Sequence, residues 1–249
     1  MQFAVHALDA TDSTQSEAQR LAAAGAPEGT VVTARHQRAG RGRRGHDWWD
    51  APGQSLLVSV LLRPAGPATR VPQLSLLGGL AVAEALATVA AVPARIRWPN
   101  DLLVDGRKIC GILAEASSDG AGRIHHVILG IGINLAQAAF PAELADRATS
   151  VRLVTGHAPE ADLVLAAVLE QVARRYDAWQ AGGFAVLRAA WLERSTLPGQ
   201  AVRLPDGSDG VGIDVGDDGI LRACGRDGRV VHIVSGGTVE EGVAHAARH

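Results

Sequence analysis

A change in the pattern of the sequence at Gly199 most constrains the fold. Before this residue, apolar runs with strand-like spacing alternate with long helical stretches rich in alanine and leucine. After it, short runs of β-forming residues are separated by Asp-Gly pairs that begin at Asp206, Asp218 and Asp227. Asp-Gly between two short apolar runs is typical of a tight hairpin turn. The chain is therefore predicted to be an α+β domain followed by a small all-β barrel.

The predicted elements divide the chain into domains at residues 1–197 and 198–249. In the first domain the spacing of apolar residues predicts helices at 13–24, 73–91, 162–181 and 184–194, and strands at 30–36, 55–62, 95–98, 108–116 and 124–134. In the second domain it predicts strands at 201–204, 210–215, 220–224 and 230–234, with a frayed tail after Glu241. Residues 40–53 are too rich in glycine and charge to form a regular element, so they are predicted to be a long loop between two strands.

Composition excludes several classes of protein. With 47% hydrophobic residues, the 249-residue chain can bury a substantial core. Its longest apolar stretch, residues 74–92, carries Glu84 and two glycines, so neither a membrane span nor a signal peptide is indicated, and we expect a soluble, cytoplasmic protein. A net charge of −2 gives no overall electrostatic reason to bind nucleic acid.

The cysteine content gives no sign of a disulfide framework. Cys110 and Cys224 lie far apart, with no CxxC motif and no histidine at the spacing of metal ligands. We predict a buried free thiol at each position, and we expect no protein-only metal site.

The run from Gly40 to Gly45, GRGRRG, matches the G-x-G-x-x-G pattern of dinucleotide-binding folds. That pattern needs a helix immediately after it, whereas HDWWDAPG follows here and cannot open a helix, so we exclude a Rossmann fold. The arginines and loop N–H groups can instead bind phosphate, and Trp48 and Trp49 can stack on a purine. A solvated basic turn or a nucleic-acid hook is the alternative. We favour a nucleotide clamp because two adjacent tryptophans in a loop are costly to expose without a ligand.

Lys108 is the only lysine among 24 Lys plus Arg. In a chain that otherwise uses arginine, its survival indicates a need for a compact ammonium that a planar guanidinium cannot replace. It lies on a predicted strand with apolar neighbours, where a lysine is rarely structural unless it is paired. A lysine at a strand end that reaches solvent is the alternative. The glycines Gly130 and Gly132, also on a predicted strand, are typical of close approach by a ligand or of a bulge.

The order and spacing of these motifs resemble the biotin-protein ligase family, also called biotin-[acetyl-CoA-carboxylase] ligases. The resemblance rests on the segments 13–15 (STQ), 37–45 (QRAGRGRRG), 98–102 (WPNDL), 107–113 (RKICGIL) and 130–134 (GIGIN). It covers nearly the whole chain. It implies a mixed β-sheet catalytic domain flanked by helices, of the biotin/lipoate ligase-like fold, followed by an SH3-like barrel.

The chain departs from the family pattern at two positions. Gln15 stands where the family commonly has Asn, and Arg97 stands where Lys often precedes WPND. The sequence also begins at the catalytic domain, without the winged helix-turn-helix that lets some members repress genes. We therefore expect a ligase without sequence-specific affinity for DNA.

The resemblance implies a two-step reaction in which biotin and ATP form biotinyl-5'-AMP, and a lysine of a biotin carboxyl carrier protein or domain then accepts the biotinyl group. Lys108 and Arg43 are the implied catalytic residues, acting electrostatically. The implied biotin-binding residues are Ser13, Thr14, Gln15, Gln37, Arg41, Gly42, Arg43, Lys108, Gly111 and Gly130. The implied ATP and adenylate contacts are Arg41, Arg43, Trp48, Asn100, Asp101, Lys108 and Asn134. Mg²⁺ is expected with the triphosphate, without a metal site made by the protein alone, and the protein is expected to be a monomer or a weak homodimer.

Two other functions fit parts of the sequence. A lipoate-protein ligase or octanoyltransferase shares the superfold and the placement of a lysine, although the arginine-glycine loop favours biotin. A nucleic-acid-binding or scaffold protein could use the arginine loop and the barrel, but the net charge of −2 disfavours it.

Overall fold

A seven-stranded mixed sheet forms the centre of the protein. The structure, a computed structural model, describes residues 1–119, 123–234 and 239–240. The strands are β1 (Ala4–Leu8), β2 (Thr30–Ala34), β3 (Ser55–Leu62), β4 (Arg95–Arg97), β5 (Asp101–Val104), β6 (Arg107–Ser118) and β7 (Ile124–Asn134). Their spatial order is β1-β2-β3-β7-β6-β5-β4. Only β1 and β2 pair in parallel among these strands, so the prediction of a mixed sheet is confirmed.

Helices cover both faces of this sheet. They are α1 (Thr14–Ala23), α2 (Val71–Ala90), α3 (Val151–Thr155), α4 (Ala161–Gly182) and α5 (Ala185–Arg194). In β3, Val60 and Leu62 point into the large core under α2 and α4, whereas Leu61 joins a smaller core under α1. The side chains of a strand alternate between the two faces of its sheet, and both faces are buried here, which explains the uninterrupted apolar run of β3.

The stretch Ala68–Ala90, which contains α2, is long and apolar enough to cross a bilayer. However, 72% of its most apolar window is buried inside the protein. The helix is therefore the central core helix, and its composition reflects contact with the sheet on one side and with α4 on the other.

A second sheet follows the helices. Its antiparallel strands are β8 (Ala201–Arg203), β9 (Asp209–Val215), β10 (Leu221–Gly225), β11 (Val230–Ile233) and β12 (Val239–Glu240), in the spatial order β12-β11-β10-β9-β8. Gly207, Gly219 and Gly228, the second residues of the three Asp-Gly pairs, have φ values of 83°, 81° and 81°. This is the left-handed region that glycine adopts without strain, so the predicted turns are confirmed.

Several local features differ from the predictions. Strands β1 and β5 and helix α3 were not predicted, and the loop at 40–53 contains a 3₁₀ turn, Arg43–Gly45, within an otherwise irregular course. Cys224, in β10 of the second sheet, is half-buried and not buried as predicted. Cys110 is buried as predicted, and its burial raises the pKa of the thiol. The predicted tail after Glu241 lies outside the described residues.

Candidate active site

A cleft opens between the start of α1, the loop at 40–53 and the middle of β3, β6 and β7. It encloses about 480 Å³ of space, part of which is open to solvent. Most of the predicted site residues line it: Ser13, Thr14, Gln15, Gln37, Arg41, Gly42, Arg43, Trp48, Asn100, Lys108, Gly111 and Gly130. The lining also includes residues that were not placed in the site from sequence: Leu57, Val58, Ser59, Ile112, Leu113, Ile131 and Gly132.

One part of the cleft is a network of neutral polar side chains, which we call the polar floor: Thr14, Gln15, Gln37 and Ser59. Each of these residues is no more than 9% exposed. The Thr14 N–H and hydroxyl both donate to Gln37 Oε1, at 2.8 and 3.0 Å, and the Thr14 and Ser59 hydroxyls lie 2.9 Å apart. The Ser59 hydroxyl donates to Gln15 Oε1 at 3.1 Å. The floor is therefore preorganised by hydrogen bonds among its own members.

Gln15 closes this network against the sheet. Its Nε2 donates to the carbonyl of Ile128 at 3.1 Å, while its Oε1 accepts from Ser59. A Cβ on Gly130 would lie 2.5 Å from Gln15 Oε1, so a glycine is required beneath the longer glutamine side chain. Both ends of the Gln15 amide are thus held by the protein, and its contact with biotin stays a prediction.

Ser13 stands at the N-cap of α1, where a serine hydroxyl commonly accepts a bond from the first turn. Its side chain makes no capping hydrogen bond in this structure, and the residue is 3% exposed and lines the cleft. The N–H of Thr14 is satisfied by Gln37. Ser13 therefore lines the cleft, and its hydroxyl has no role in capping the helix.

A second part of the cleft carries charge, and we call it the cationic end: Arg43, Asn100 and Lys108, which line the cleft, and Asp101, which does not line it but contacts Lys108. The Lys108 ammonium contacts Asp101 Oδ1 at 2.6 Å, and Arg97 contacts the other oxygen of the same carboxylate at 2.7 Å. The Lys108 side chain is 34% exposed. One carboxylate thus holds two cations, and the group keeps a net positive charge.

The backbone of Lys108 is held by the segment that follows β7. The Lys108 N–H donates to the carbonyl of Arg147 at 2.7 Å, and the Thr149 N–H donates to the carbonyl of Lys108 at 2.8 Å. On its other side Lys108 pairs with Leu103 of β5. The position of the lysine backbone is therefore fixed from both sides.

Asn100 connects the loop at 40–53, which we call the arginine loop, to the sheet. Its Oδ1 accepts from the Arg43 guanidinium at 3.0 Å, and its Nδ2 donates to the carbonyl of Ile112 at 3.1 Å. The Ile112 N–H returns a bond to the carbonyl of Asn100 at 2.8 Å. Asn100 and Asp101 therefore hold the cations of the site in place.

Trp48 packs flat against the sheet where two glycines pair in register, Gly111 of β6 and Gly132 of β7. A Cβ on Gly132 would lie 2.7 Å from the indole, and one on Gly111 would lie 3.0 Å from it. The Lys108 ammonium lies 5.7 Å from the centre of the indole ring. The glycines thus provide the space for the indole, and the proposed contact of Trp48 with adenine stays a prediction.

The arginines of the loop have different partners. Arg41 contacts Glu115 of β6 at 3.1 Å, and Gln19 of α1 donates to the same carboxylate oxygen at 3.3 Å. Arg43 lies against Asn100. The side chain of Arg44 is outside the part of the structure that is described. Arg41 therefore fastens the loop across the mouth of the cleft.

Asn134 does not line the cleft, although it was predicted to lie near the adenine. Its side chain is 4% exposed, and its Nδ2 donates to the carbonyl of Thr149 at 3.0 Å. Its Oδ1 accepts from Gln137 at 3.4 Å. Asn134 thus lies behind the segment that holds Lys108, and its contact with a nucleotide stays a prediction.

Sequence reasoning overlooked Ser59 and Glu115, and it marked Gly132 as a point of close approach without assigning it to the site. Ser59 is a polar residue in the middle of a buried apolar strand, a position where an unpaired hydroxyl would be costly, and this signal was available. Gly132 was part of the quoted GIGIN motif. Nothing in the sequence pairs Glu115 with Arg41, because that contact depends on how the loop folds over β6.

Residues 7–134 match the model of the biotin/lipoate A/B protein ligase family. The chain therefore belongs to this family of protein ligases, as its motifs had indicated.

The chain is also similar to individual proteins whose activities are known by name. The chain is 39% identical over 233 residues to the biotin-[acetyl-CoA-carboxylase] ligase of Paracoccus denitrificans, a match that covers 89% of this chain and 94% of that protein. It is 36% identical over 218 residues to the bifunctional ligase/repressor BirA of Bacillus subtilis, covering 86% of this chain and 67% of that protein. Among solved structures, it is similar to a biotin protein ligase from Aquifex aeolicus in complex with biotin and ATP, with a TM-score of 0.79 and 29% identity over 96% of this chain and 99% of that one.

Proposed function

We propose that this protein is an ATP-dependent biotin-protein ligase, which activates biotin as biotinyl-5'-AMP and transfers the biotinyl group to a lysine of a carrier protein. The observation that carries the proposal is the arrangement of a neutral polar floor and a cationic end in one cleft. The Lys108 ammonium lies beside Gly111, and the floor lies beneath Gly130, which pairs with Leu113. Leu113 lies two residues beyond Gly111 along β6, a distance of about 7 Å. A bicyclic ring with a short acid tail spans this distance.

The polar floor distinguishes biotin from lipoate. The ureido group of biotin has two N–H donors and a carbonyl acceptor, which suit the hydroxyls of Thr14 and Ser59 and the carboxamide of Gln37 in the floor, together with the Ser13 hydroxyl beside it. The dithiolane ring of lipoate has no such groups and would leave these buried atoms unpaired. Because an unpaired buried polar group costs about 1–3 kcal/mol, the floor favours biotin.

The cationic end suits the first step. A carboxylate oxygen of biotin attacks the α-phosphorus of ATP, the bond from that phosphorus to the oxygen bridging to the β-phosphate breaks, and pyrophosphate leaves. Two anions must approach each other, and the Lys108 ammonium and the Arg43 guanidinium neutralise both. Lys108 then stabilises the charge that develops on the phosphoryl oxygens, so catalysis depends on position and electrostatics.

The second step uses the same end of the cleft. The amine of the carrier lysine attacks the carbonyl carbon of the mixed anhydride, the carbon–oxygen bond to the phosphate breaks, AMP leaves, and the nitrogen loses a proton. The leaving group is an anionic phosphate, so the same cations lower the barrier.

Magnesium enters as part of the MgATP substrate. Among the described residues there is no group of three or more His, Cys, Asp or Glu side chains that could hold a metal ion. Asp101 is engaged by two cations and Glu115 by Arg41. These residues do not fit a protein-only metal site, and Mg²⁺ commonly retains several waters and phosphate oxygens as ligands.

Features of the wider protein complete the proposal. The acceptor is a lysine of a biotin carboxyl carrier protein or domain of an acyl-CoA carboxylase, a substrate class supported by the relative from Paracoccus denitrificans. We assign residues 1–197 to a catalytic domain and residues 198–249 to an SH3-like barrel domain and tail, and the antiparallel order of the second sheet within the described residues supports the barrel. The protein acts in the cytoplasm as a monomer or weak homodimer, and its free cysteines are typical of a reducing compartment.

A pyrophosphate-release assay tests the function. Purified protein is incubated with MgATP and either biotin or lipoate, and the adenylate is identified by mass spectrometry. We expect biotin-dependent release of pyrophosphate with biotinyl-5'-AMP as product, and activity with lipoate lower by at least about 10²-fold. Equal or greater activity with lipoate would assign the protein to the lipoate branch of the family.

A further inference from the structure

The segment that leads into the second sheet runs along the edge of the first. Ser195 forms a parallel bridge with Ile96 of β4, and the Thr196 N–H donates to the carbonyl of Ile96 at 2.9 Å. The Arg95 guanidinium also donates to the carbonyl of Ser195. The connection between the two sheets is thus an added edge for β4, placed directly before the Trp-Pro-Asn-Asp turn.

Gln200 extends this pairing with its side chain. The Trp98 N–H donates to Gln200 Oε1 at 3.0 Å, and Gln200 Nε2 donates to the carbonyl of Trp98 at 2.8 Å. The Thr196 hydroxyl donates to the same Oε1 at 3.1 Å. The Gln200 backbone is itself bound to the second sheet, because its carbonyl accepts from the Gly212 N–H at 2.7 Å. A carboxamide that is fixed at its own backbone therefore holds both polar groups of the Trp98 backbone.

Trp98 opens the turn that supports the cationic end. Two residues later Asn100 holds Arg43, and Asp101 holds Lys108. The Trp98 ring is buried at 9% exposure, so neither its ring nor its backbone can move without disturbing the core. A shift of the Trp98 backbone would pass directly to these two side chains, since Asn100 follows Trp98 after Pro99 alone and Asp101 comes next.

We infer that Gln200 is a positioning residue for biotin activation: by pairing with the Trp98 backbone, it lets the second sheet fix Asn100 and Asp101 beneath the catalytic cations. The inference rests on the proposed function, since activation is the step that it affects. It assigns the second sheet a direct part in setting the geometry of the active site.

The variant Gln200→Leu tests the inference, because leucine is similar in size and makes neither hydrogen bond. The measurements are the single-turnover rate of biotinyl-5'-AMP formation at saturating biotin and MgATP, and the biotin dissociation constant by calorimetry. We expect the rate to fall by about tenfold, as small displacements of catalytic groups reduce rate sharply. The dissociation constant should change by less than about twofold, since the polar floor comes from other elements.

Arg188→Met is the matched control. Arg188 joins α5 to the second sheet, donating to the carbonyl of Val215 at 2.6 Å and contacting Asp214 at 3.3 Å, and it has no contact with the Trp98 turn among those of the described residues. Methionine keeps most of the aliphatic stem. We expect a loss of thermal stability comparable to that of Gln200→Leu, with an activation rate within about twofold of the wild type.

A double mutant distinguishes positioning from general destabilisation. In an Asp101→Asn background the lysine contact is already weakened, so adding Gln200→Leu should cost less than the factor it costs alone. Gln200→Glu retains the acceptor for the Trp98 N–H and loses the donor. It should show a smaller loss of rate, and it carries the test if Gln200→Leu does not fold.

Four results would overturn the inference: an unchanged rate in Gln200→Leu, an equal loss of rate in Arg188→Met, a biotin affinity that falls by the same factor as the rate, or full additivity with Asp101→Asn. A wild-type protein that forms no biotinyl-5'-AMP from biotin and MgATP would instead refute the proposed function itself.

Discussion

The polar floor and the cationic end lie in one cleft but are built from different interactions. In the floor, the members are neutral, almost fully buried and bonded to each other, as in the bonds from Thr14 to Gln37 and from Ser59 to Gln15. At the cationic end the groups are charged, and the Lys108 side chain is 34% exposed beside Asp101. Buried neutral networks have a fixed geometry, which suits recognition. Ion pairs near solvent exchange partners at small cost, which suits chemistry on anionic substrates.

The largest effect is expected at Lys108. Lys108→Arg keeps the charge, but the Lys108 ammonium contacts Asp101 Oδ1 at 2.6 Å, and the longer side chain with its planar guanidinium cannot place a compact charge at the same point. We expect adenylation to slow by at least ~10²-fold in single-turnover assays, with biotin affinity nearly unchanged. Arg97→Lys, which makes the reverse exchange at the same Asp101 carboxylate, is the control and should change the rate by less than about threefold. Near wild-type turnover in Lys108→Arg would remove the lysine from the mechanism.

Two glycines of β7, Gly130 and Gly132, allow the binding of biotin to be compared directly with the binding of ATP. A Cβ on Gly130 meets Gln15, whereas a Cβ on Gly132 meets Trp48. We expect Gly130→Ala to raise the KM for biotin by about tenfold and Gly132→Ala to raise the KM for ATP by a similar factor, because each displaces a different wall. Steady-state kinetics with each substrate varied in turn make the comparison. If both variants raise the same KM, the cleft is not divided in this way.

The arginine loop should respond to ligands at both ends. It is joined to the floor through Gly40, next to Gln37, and to the cationic end through Arg43. Biotin and ATP together should therefore suppress tryptic cleavage after Arg41 and Arg43 by at least about fivefold, because cleavage follows the population of the open loop. Gel or mass-spectrometric quantification of the fragments gives the rates. Equal cleavage with and without ligands would contradict a loop that closes over the substrates.

The smallest effect is expected from the ion pair between Arg41 and Glu115. Arg41 and Glu115 form a partly exposed ion pair at 3.1 Å, with side chains 43% and 32% accessible. Such pairs contribute about 1 kcal/mol or less. Glu115→Gln should therefore weaken biotin binding by less than about fivefold, and the difference should shrink as salt is raised. Isothermal titration at low and high salt measures it, and a loss that does not depend on salt would point to a direct contact with the ligand.

The sequence was most informative where one interaction dominates. Burial on both faces gives β3 a continuous apolar run, and the Asp-Gly pairs define their turns by local conformation alone. Strand β1 was missed because all but its last residue are exposed, so its sequence carries no alternation. Strand β5 was missed because it is short and is defined by its pairing with β6 across the turn at Asp105.

The same difference between local sequence signals and contacts across the fold applies to the site. Lys108 was found because it is the only lysine of the chain, and Gly111 was placed in the site by the resemblance of the motif at 107–113 to that of the family. Partners across the fold were not found: Glu115 meets Arg41, and Gln200 meets Trp98, only after the loop and the second sheet are in place. These contacts depend on tertiary packing and have no local signature.

The division of the cleft into recognition and chemistry is tested most directly by measuring two constants on two variants. Ser59→Ala breaks the polar floor, and Lys108→Arg changes the cationic end. For each, the biotin dissociation constant and the single-turnover rate of adenylate formation at saturating biotin are compared with those of the wild type. We predict that Ser59→Ala weakens biotin binding by about tenfold while the rate stays within about twofold. We predict that Lys108→Arg slows adenylate formation by at least ~10²-fold while the biotin dissociation constant stays nearly unchanged. If both constants change by the same factor in either variant, the floor and the cationic end act as one unit and the account is wrong.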